Sequence, residues 1–138
     1  MDVVADGGAT ETVGSIGAGL CVLVGVTPSD TAETAVRLAD RFITPRSSSK
    51  IRRFQTWSAA DVAAAVLVVS QFTLYGDTSR GRRPSWIAAA RPEQAEPLVE
   101  HLVAALRGAG ATVATGRFRT AMRVSLVNDG PVTVMLER

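Results

Sequence analysis

The sequence predicts a single domain of the α/β or α+β class, and three observations carry that reading. The chain has 138 residues, enough to bury one core and not two. Two stretches repeat apolar residues at helical spacing, one after residue 30 and one after residue 92. About five short apolar, β-branched runs lie around them.

Leu20-Cys21-Val22-Leu23-Val24-Gly25-Val26 is a continuous apolar run of strand length, predicted to be a strand buried on both faces. Ser29 or Asp30 is then placed to cap a helix. Its apolar face reads Ala32, Ala35, Val36, Ala39 and Ile43, and Pro45 stops it. From Arg46 to Thr56 the chain is basic, serine-rich and unpatterned, an irregular loop. Ala64–Thr73 is the next strand, too apolar to own a solvent face. Gly76–Pro84, with two glycines and three arginines, reads as a loop.

The second helix runs from about Glu93 to Gly108 on the stripe Ala95, Leu98, Val99, Leu102, Val103 and Leu106. Pro97 belongs in or near its first turn, where a missing N–H matters least. Ala111–Phe118, Met122–Val127 and Val132–Glu137 are the remaining strands, with a tight turn at Asn128-Asp129-Gly130-Pro131.

Composition narrows the function. Apolar residues make up 46% and charged residues 20%, an ordinary water-soluble mixture. One cysteine excludes a disulfide framework and fits a reducing compartment. The opening Met-Asp-Val-Val has no basic segment before an apolar one, and no apolar run approaches the roughly 20 residues a membrane span requires. The expected location is the cytoplasm. Lys50 is the sole lysine against a background of arginine, the better phosphate partner. A GC-rich genome produces the same bias, so arginine content alone does not imply RNA.

The usual catalytic groups are missing. His101 is the single histidine and sits mid-helix, which removes a Ser-His-Asp triad and leaves no ordinary metal ligand set. Cys21 lies in a buried strand with no cation beside it, a setting in which thiols are inert. No metal and no cofactor are expected.

Two segments are not explained by packing. In Ser70-Gln71-Phe72-Thr73-Leu74-Tyr75 an apolar strand turns polar at its carboxyl end, where ligands bind in α/β domains. Asn128-Asp129-Gly130-Pro131-Val132-Thr133 is strong turn chemistry whose Gly-Pro pair can adopt a cis peptide and let backbone approach a ligand. A polar strand terminus and a simple turn account for the same residues, so each segment alone leaves the function open.

Together, with Asp77 after the first segment and Val127 before the second, they resemble the two signature motifs of the D-aminoacyl-tRNA deacylases. Gly81-Arg82-Arg83-Pro84-Ser85-Trp86, Ala95-Glu96-Pro97-Leu98 and Thr115-Gly116-Arg117-Phe118 with Met122 agree in order and spacing. The likeness runs from about Gly14 to Asp40 and from Ser58 to Glu137. It implies a compact, β-barrel-like fold with two main helices and a homodimer. It also implies an ester hydrolase that removes D-amino acids, or glycine, from tRNA and rejects L-amino acids.

The resemblance places Ser70, Gln71 and Thr73 at the catalytic centre and Phe72, Met122, Gly130 and Pro131 against the substrate. Gly130-Pro131 would form a cis element reaching into the partner subunit's pocket, its carbonyls facing the substrate amino group. That wall excludes an L side chain and lets glycine through. Arg80, Arg82 and Arg83 would meet tRNA phosphates. The expected mechanism uses the terminal 2′-hydroxyl of the tRNA, because an unassisted threonine hydroxyl is a poor nucleophile.

Two departures from the family pattern stand out. The Gln-Arg-Val-like first strand has no counterpart, and residues 41–57 read Arg41-Phe42-Ile43-Thr44-Pro45-Arg46 onward without the usual Arg-x-Phe and Lys-Met-Asn elements. A missing first strand would leave an unpaired sheet edge and an aggregation-prone, weakly active chain. The alternatives are therefore an inactive homologue that only binds tRNA, and the related deacylase that edits L-alanine.

Overall fold

The computed structural model describes residues 2–6, 10–43, 65–129 and 133–137. Among the described residues there are six strands: β1 (Asp2–Asp6), β2 (Thr10–Ser15), β3 (Gly19–Val24), β4 (Ala65–Ser70), β5 (Thr112–Thr115) and β6 (Met122–Ser125). Two helices, α1 (Ala32–Ile43) and α2 (Pro92–Gly108), join them with a 3₁₀ helix at Phe72–Tyr75. The expected mixed α/β class is observed.

The strands form two three-stranded sheets, ordered β2-β1-β6 and β3-β4-β5. The first is antiparallel throughout. The second is parallel, with Val22 opposite Val68 and Val68 opposite Thr115. Parallel neighbours need crossovers, and α1 and α2 lie within the two connections. The sheets stack without closing into a single ring, so "barrel-like" describes the arrangement only loosely.

Alternation along β4 builds the three layers. Val66 and Val68 face the helices, packing with Val22, Val24, Ala35, Ala39, Leu102, Val103 and Leu106. Leu67 and Val69 face the antiparallel sheet, packing with Val3 and Ile16. Every one of these β4 side chains is at most 2% exposed. A strand buried on both faces reads as an unbroken apolar run, as this one does.

β3 differs from the expectation. Among the described residues it is an edge strand, and Leu23 remains 47% exposed, so only its helix-facing residues Val22 and Val24 are buried. Burial pushes the Cys21 thiol up from its ordinary value, against a smaller opposing effect of the chain amino terminus, which keeps it protonated and unreactive at neutral pH.

Further corrections concern boundaries. The cap of α1 is Thr31, not Ser29 or Asp30: the Thr34 N–H donates to the Thr31 hydroxyl (3.3 Å), and the Thr31 N–H to the Thr34 hydroxyl (3.1 Å). Asp30 instead accepts the Thr27 N–H at 2.9 Å. The buried stripe of α1 is Ala35 and Ala39 with Leu38, Phe42 and Ile43 beside them, while Val36 faces outward. Pro92 takes the first position of α2, and Pro97 lies inside the helix rather than in its first turn.

At the amino terminus, β1 is the central strand of its sheet, paired on both sides. Among the described residues the outer edges of that sheet belong to β2 and β6. Thr133–Glu137 is not a strand, although Val132–Glu137 is predicted as one. The atypical segment 41–57 lies outside the described residues beyond Ile43. Among the described residues no helix is long and apolar enough to cross a membrane.

Candidate active site

The candidate site begins where β4 leaves its sheet. Ser70 pairs with Val24, and the Gln71 N–H donates to the Val24 carbonyl at 2.7 Å, the last rung of the ladder. The predicted strand continues to Thr73, but the chain turns here. The Gln71 carbonyl accepts the Leu74 N–H (3.2 Å), and the Thr73 carbonyl accepts the Gly76 N–H (3.0 Å), closing the 3₁₀ helix.

This turn can pack against the end of β3 because Gly25 is there. A Cβ on Gly25 would meet the Leu74 Cβ and the Tyr75 ring at 3.1 Å and the Gln71 carbonyl at 3.3 Å. The sequence run Leu20–Val26 hid this role, since a glycine in a strand reads first as a weak position.

The turn presents Phe72, Thr73 and Leu74 to solvent and keeps Ser70, Gln71 and Tyr75 half-buried. The Gln71 side-chain amide donates to the Thr73 hydroxyl. Tyr75 is pushed up from its ordinary phenol range by burial, then by Asp30 and Glu137, so it remains a neutral hydroxyl.

A second segment follows the turn. Asp77 and Ser85 exchange backbone hydrogen bonds at 2.8 Å in both directions, pinching residues 77–85 into a closed loop. Asp77 also accepts the Ser79 N–H at 2.8 Å, and its hydrogen bonds with Ser79, side chain before backbone, hold its carboxyl below the ordinary value. Gly81 supplies the positive φ of +73° that the loop tip requires. Arg80, Arg82 and Arg83 stand exposed on this loop.

Directly after Ser85, the Trp86 ring meets Phe72 edge-on, centroids 5.3 Å apart and planes at 70°. The same indole lies over Gly76, where a Cβ would sit 2.4 Å from Cζ3. Trp86 and Gly76 are contributions that the pattern of polar residues did not reveal. In a chain with only two tryptophans, an exposed Trp after a glycine-arginine loop was the available signal.

The remaining expected residues are placed as follows. Met122 is half-buried in the core beside Val69 and Leu67, packed onto Gly116, where a Cβ would come 2.6 Å from its sulfur. It thus lies below the end of β4, and the exposed turn is built without it. Gly130 and Pro131 lie outside the described residues, and Asn128 and Asp129 lead toward them, exposed, from β6. His101 is exposed on α2 with its Nδ1–H donated to the Pro97 carbonyl at 2.6 Å. Among the described residues no three His, Cys, Asp or Glu side chains cluster to hold a metal ion.

The family model described as D-Tyr-tRNA(Tyr) deacylase matches residues 2–137. The chain belongs to this deacylase family. A D-aminoacyl-tRNA deacylase of Streptomyces avermitilis is 57% identical over 92% of this chain and 85% of its own length. One from Streptomyces coelicolor is 57% identical over 98% and 91%, and one from Chloroflexus aurantiacus 52% identical over 94% and 81%.

Among solved structures, the c-Myc DNA Unwinding Element Binding Protein superposes with a TM-score of 0.83 at 30% identity, over 99% of this chain and 93% of its own. A probable eukaryotic D-amino acid tRNA deacylase shares the fold at a TM-score of 0.61 and 14% identity, covering 88% of this chain and 86% of its own. The two departures read in the sequence therefore leave family membership intact.

Proposed function

We propose that this chain hydrolyses the ester joining a D-amino acid, or glycine, to the terminal ribose of tRNA. Water adds to the acyl carbon, the bond to the ribose oxygen breaks, and the free amino acid and the tRNA hydroxyl are released. The reaction takes place at the carboxyl end of β4 and on the 3₁₀ helix that follows, in a cytoplasmic homodimer.

One observation carries the mechanistic part of this reading: the partner of the Thr73 hydroxyl is the Gln71 amide. An amide is not a base, so this contact orients Thr73 without activating it. The sole histidine is engaged on α2 by the Pro97 carbonyl. These facts favour a reaction in which the RNA's own 2′-hydroxyl assists the attack. Ser70, Gln71 and Thr73 then position the ester, and open backbone N–H groups of the turn stabilise the developing oxyanion.

Phe72 lines the substrate's side of the turn, and Met122 supports it from the core. Gly130 and Pro131 reject L side chains, and a partner subunit's copy reaches the pocket. The exposed apolar residues Leu126, Val127, Val134 and Met135, which flank that motif in sequence, support a surface covered by a second copy. Arg80, Arg82 and Arg83 meet the phosphates of the acceptor end.

The test is direct. The protein is incubated with D-tyrosyl-, glycyl- and L-alanyl-tRNA, and ester loss is followed for each. Rapid loss of the first two and not the third supports the proposal. Binding of tRNA without ester loss would instead make the chain a non-catalytic homologue.

A further inference from the structure

We infer that Trp86 is a positioning residue for the reaction: its indole braces the 3₁₀ helix that presents Phe72 and Thr73, through the gap left by Gly76. The inference rests on the site assignment proposed above. A four-residue 3₁₀ helix has poor hydrogen-bond geometry and little stability of its own. Here three of its four residues, Phe72, Thr73 and Leu74, face solvent, so its shape must come from outside contacts.

The contacts are unequal. On one side Gly25 brings the end of β3 against Leu74, Tyr75 and Gln71. On the other, Trp86 reaches both ends of the turn, touching Phe72 at its start and Gly76 just after its finish. The brace is itself anchored. Ser85 is hydrogen-bonded to Asp77 on one flank. On the other, the Ala90 N–H donates to the Val26 carbonyl at 2.8 Å, and the Thr27 hydroxyl to the Ala88 carbonyl at 2.7 Å. The segment carrying Trp86 is thereby tied to the same strand end that supports the turn.

A ring held in this way fixes the direction of the turn's backbone N–H groups and of Thr73. Small errors in such positions reduce the chemical step far more than they weaken binding of a large RNA.

The test uses Trp86→Ala, Trp86→Phe, Gly76→Ala, Gly76→Ala/Trp86→Ala and Gln71→Ala in the full chain. Single-turnover and steady-state cleavage of D-tyrosyl-tRNA are measured, with thermal melting as the control for folding. Trp86→Ala is expected to lower kcat by ~10-fold or more with KM changed less than ~2-fold. Trp86→Phe keeps an aromatic ring over Gly76 and recovers most of the rate. Gly76→Ala, which pushes a methyl group into the indole, reproduces the Trp86→Ala loss. The double variant loses less than the product of the two single losses, because without the indole the new Cβ keeps only its 3.0 Å approach to the Thr73 carbonyl.

An unchanged kcat in Trp86→Ala, a loss confined to KM, or multiplied losses in the double variant each overturns the inference. Should Trp86→Ala fail to fold, the outcome is decided by Gly76→Ala and Trp86→Phe: full activity in the first or none in the second overturns it. A crippled Gln71→Ala beside an unaffected Trp86→Ala sinks the brace alone. Full activity in Gln71→Ala and in the Trp86 variants together sinks the site assignment.

Discussion

Gln71 and Thr73, two residues apart at the end of β4, are joined by a hydrogen bond from the side-chain amide of the first to the hydroxyl of the second. Both sit where a buried parallel strand gives way to an exposed 3₁₀ turn. The contact provides orientation and no proton acceptor.

If Thr73 is an oriented group and not the nucleophile, Thr73→Ala should lose about 10-fold in kcat/KM, or ~1.4 kcal/mol. A D-tyrosyl-tRNA ending in 2′-deoxyadenosine should react far more slowly with the native enzyme. The opposite pattern, a dead Thr73→Ala and normal turnover of the deoxy substrate, would make Thr73 the nucleophile.

Steric exclusion by Gly130-Pro131 predicts a chirality ratio. D-tyrosyl-tRNA should be cleaved at least ~10³-fold faster than L-tyrosyl-tRNA, equivalent to ~4 kcal/mol in the transition state. Pro131→Ala should shrink that ratio by loosening the wall. Equal rates on the two enantiomers would exclude selection by this motif.

The arginine loop offers a test that does not depend on chemistry. Arg80, Arg82 and Arg83 are exposed on a loop clamped by Asp77 and Ser85. Their joint replacement by alanine should weaken tRNA binding and flatten the dependence of log Kd on log salt. A triple variant with the native slope would make them ordinary surface.

The layered core predicts unequal penalties for chemically identical substitutions. Leu67 is 0% exposed between the sheets, whereas Leu23 on edge strand β3 is 47% exposed. Leu67→Ala should destabilise by about 2–5 kcal/mol. Leu23→Ala should lose at most about 1 kcal/mol. Urea unfolding with unchanged m-values measures both, and similar midpoints for the two variants would contradict the layer assignment.

The sequence by itself determined the family, the mixed class and both helices, and it marked the two segments on which the proposed site rests. Signals of this kind are local: a 3.6-residue stripe along Leu98, Leu102 and Leu106, an unbroken apolar run at Val66–Val69, and two motifs at fixed spacing. The burial of β4 on both faces was legible for the same reason, since its residues from Ala65 to Val69 are all apolar. Only the tertiary structure decided what depends on distant neighbours. β1 escaped notice because five residues carry little pattern, and it is held by pairing with β2 and β6. Leu23 and Leu67 look alike in the sequence, yet one is on an edge strand and the other lies under a second sheet. The cap moved to Thr31 because a reciprocal bond with Thr34 outweighs a good capping residue one position earlier. Gly25, Gly76 and Trp86 acquired their roles only when β3, the 3₁₀ turn and residues 85–90 were brought together. A glycine's lack of a side chain acts only through what comes to occupy the space, and that is settled by packing, not by the order of residues.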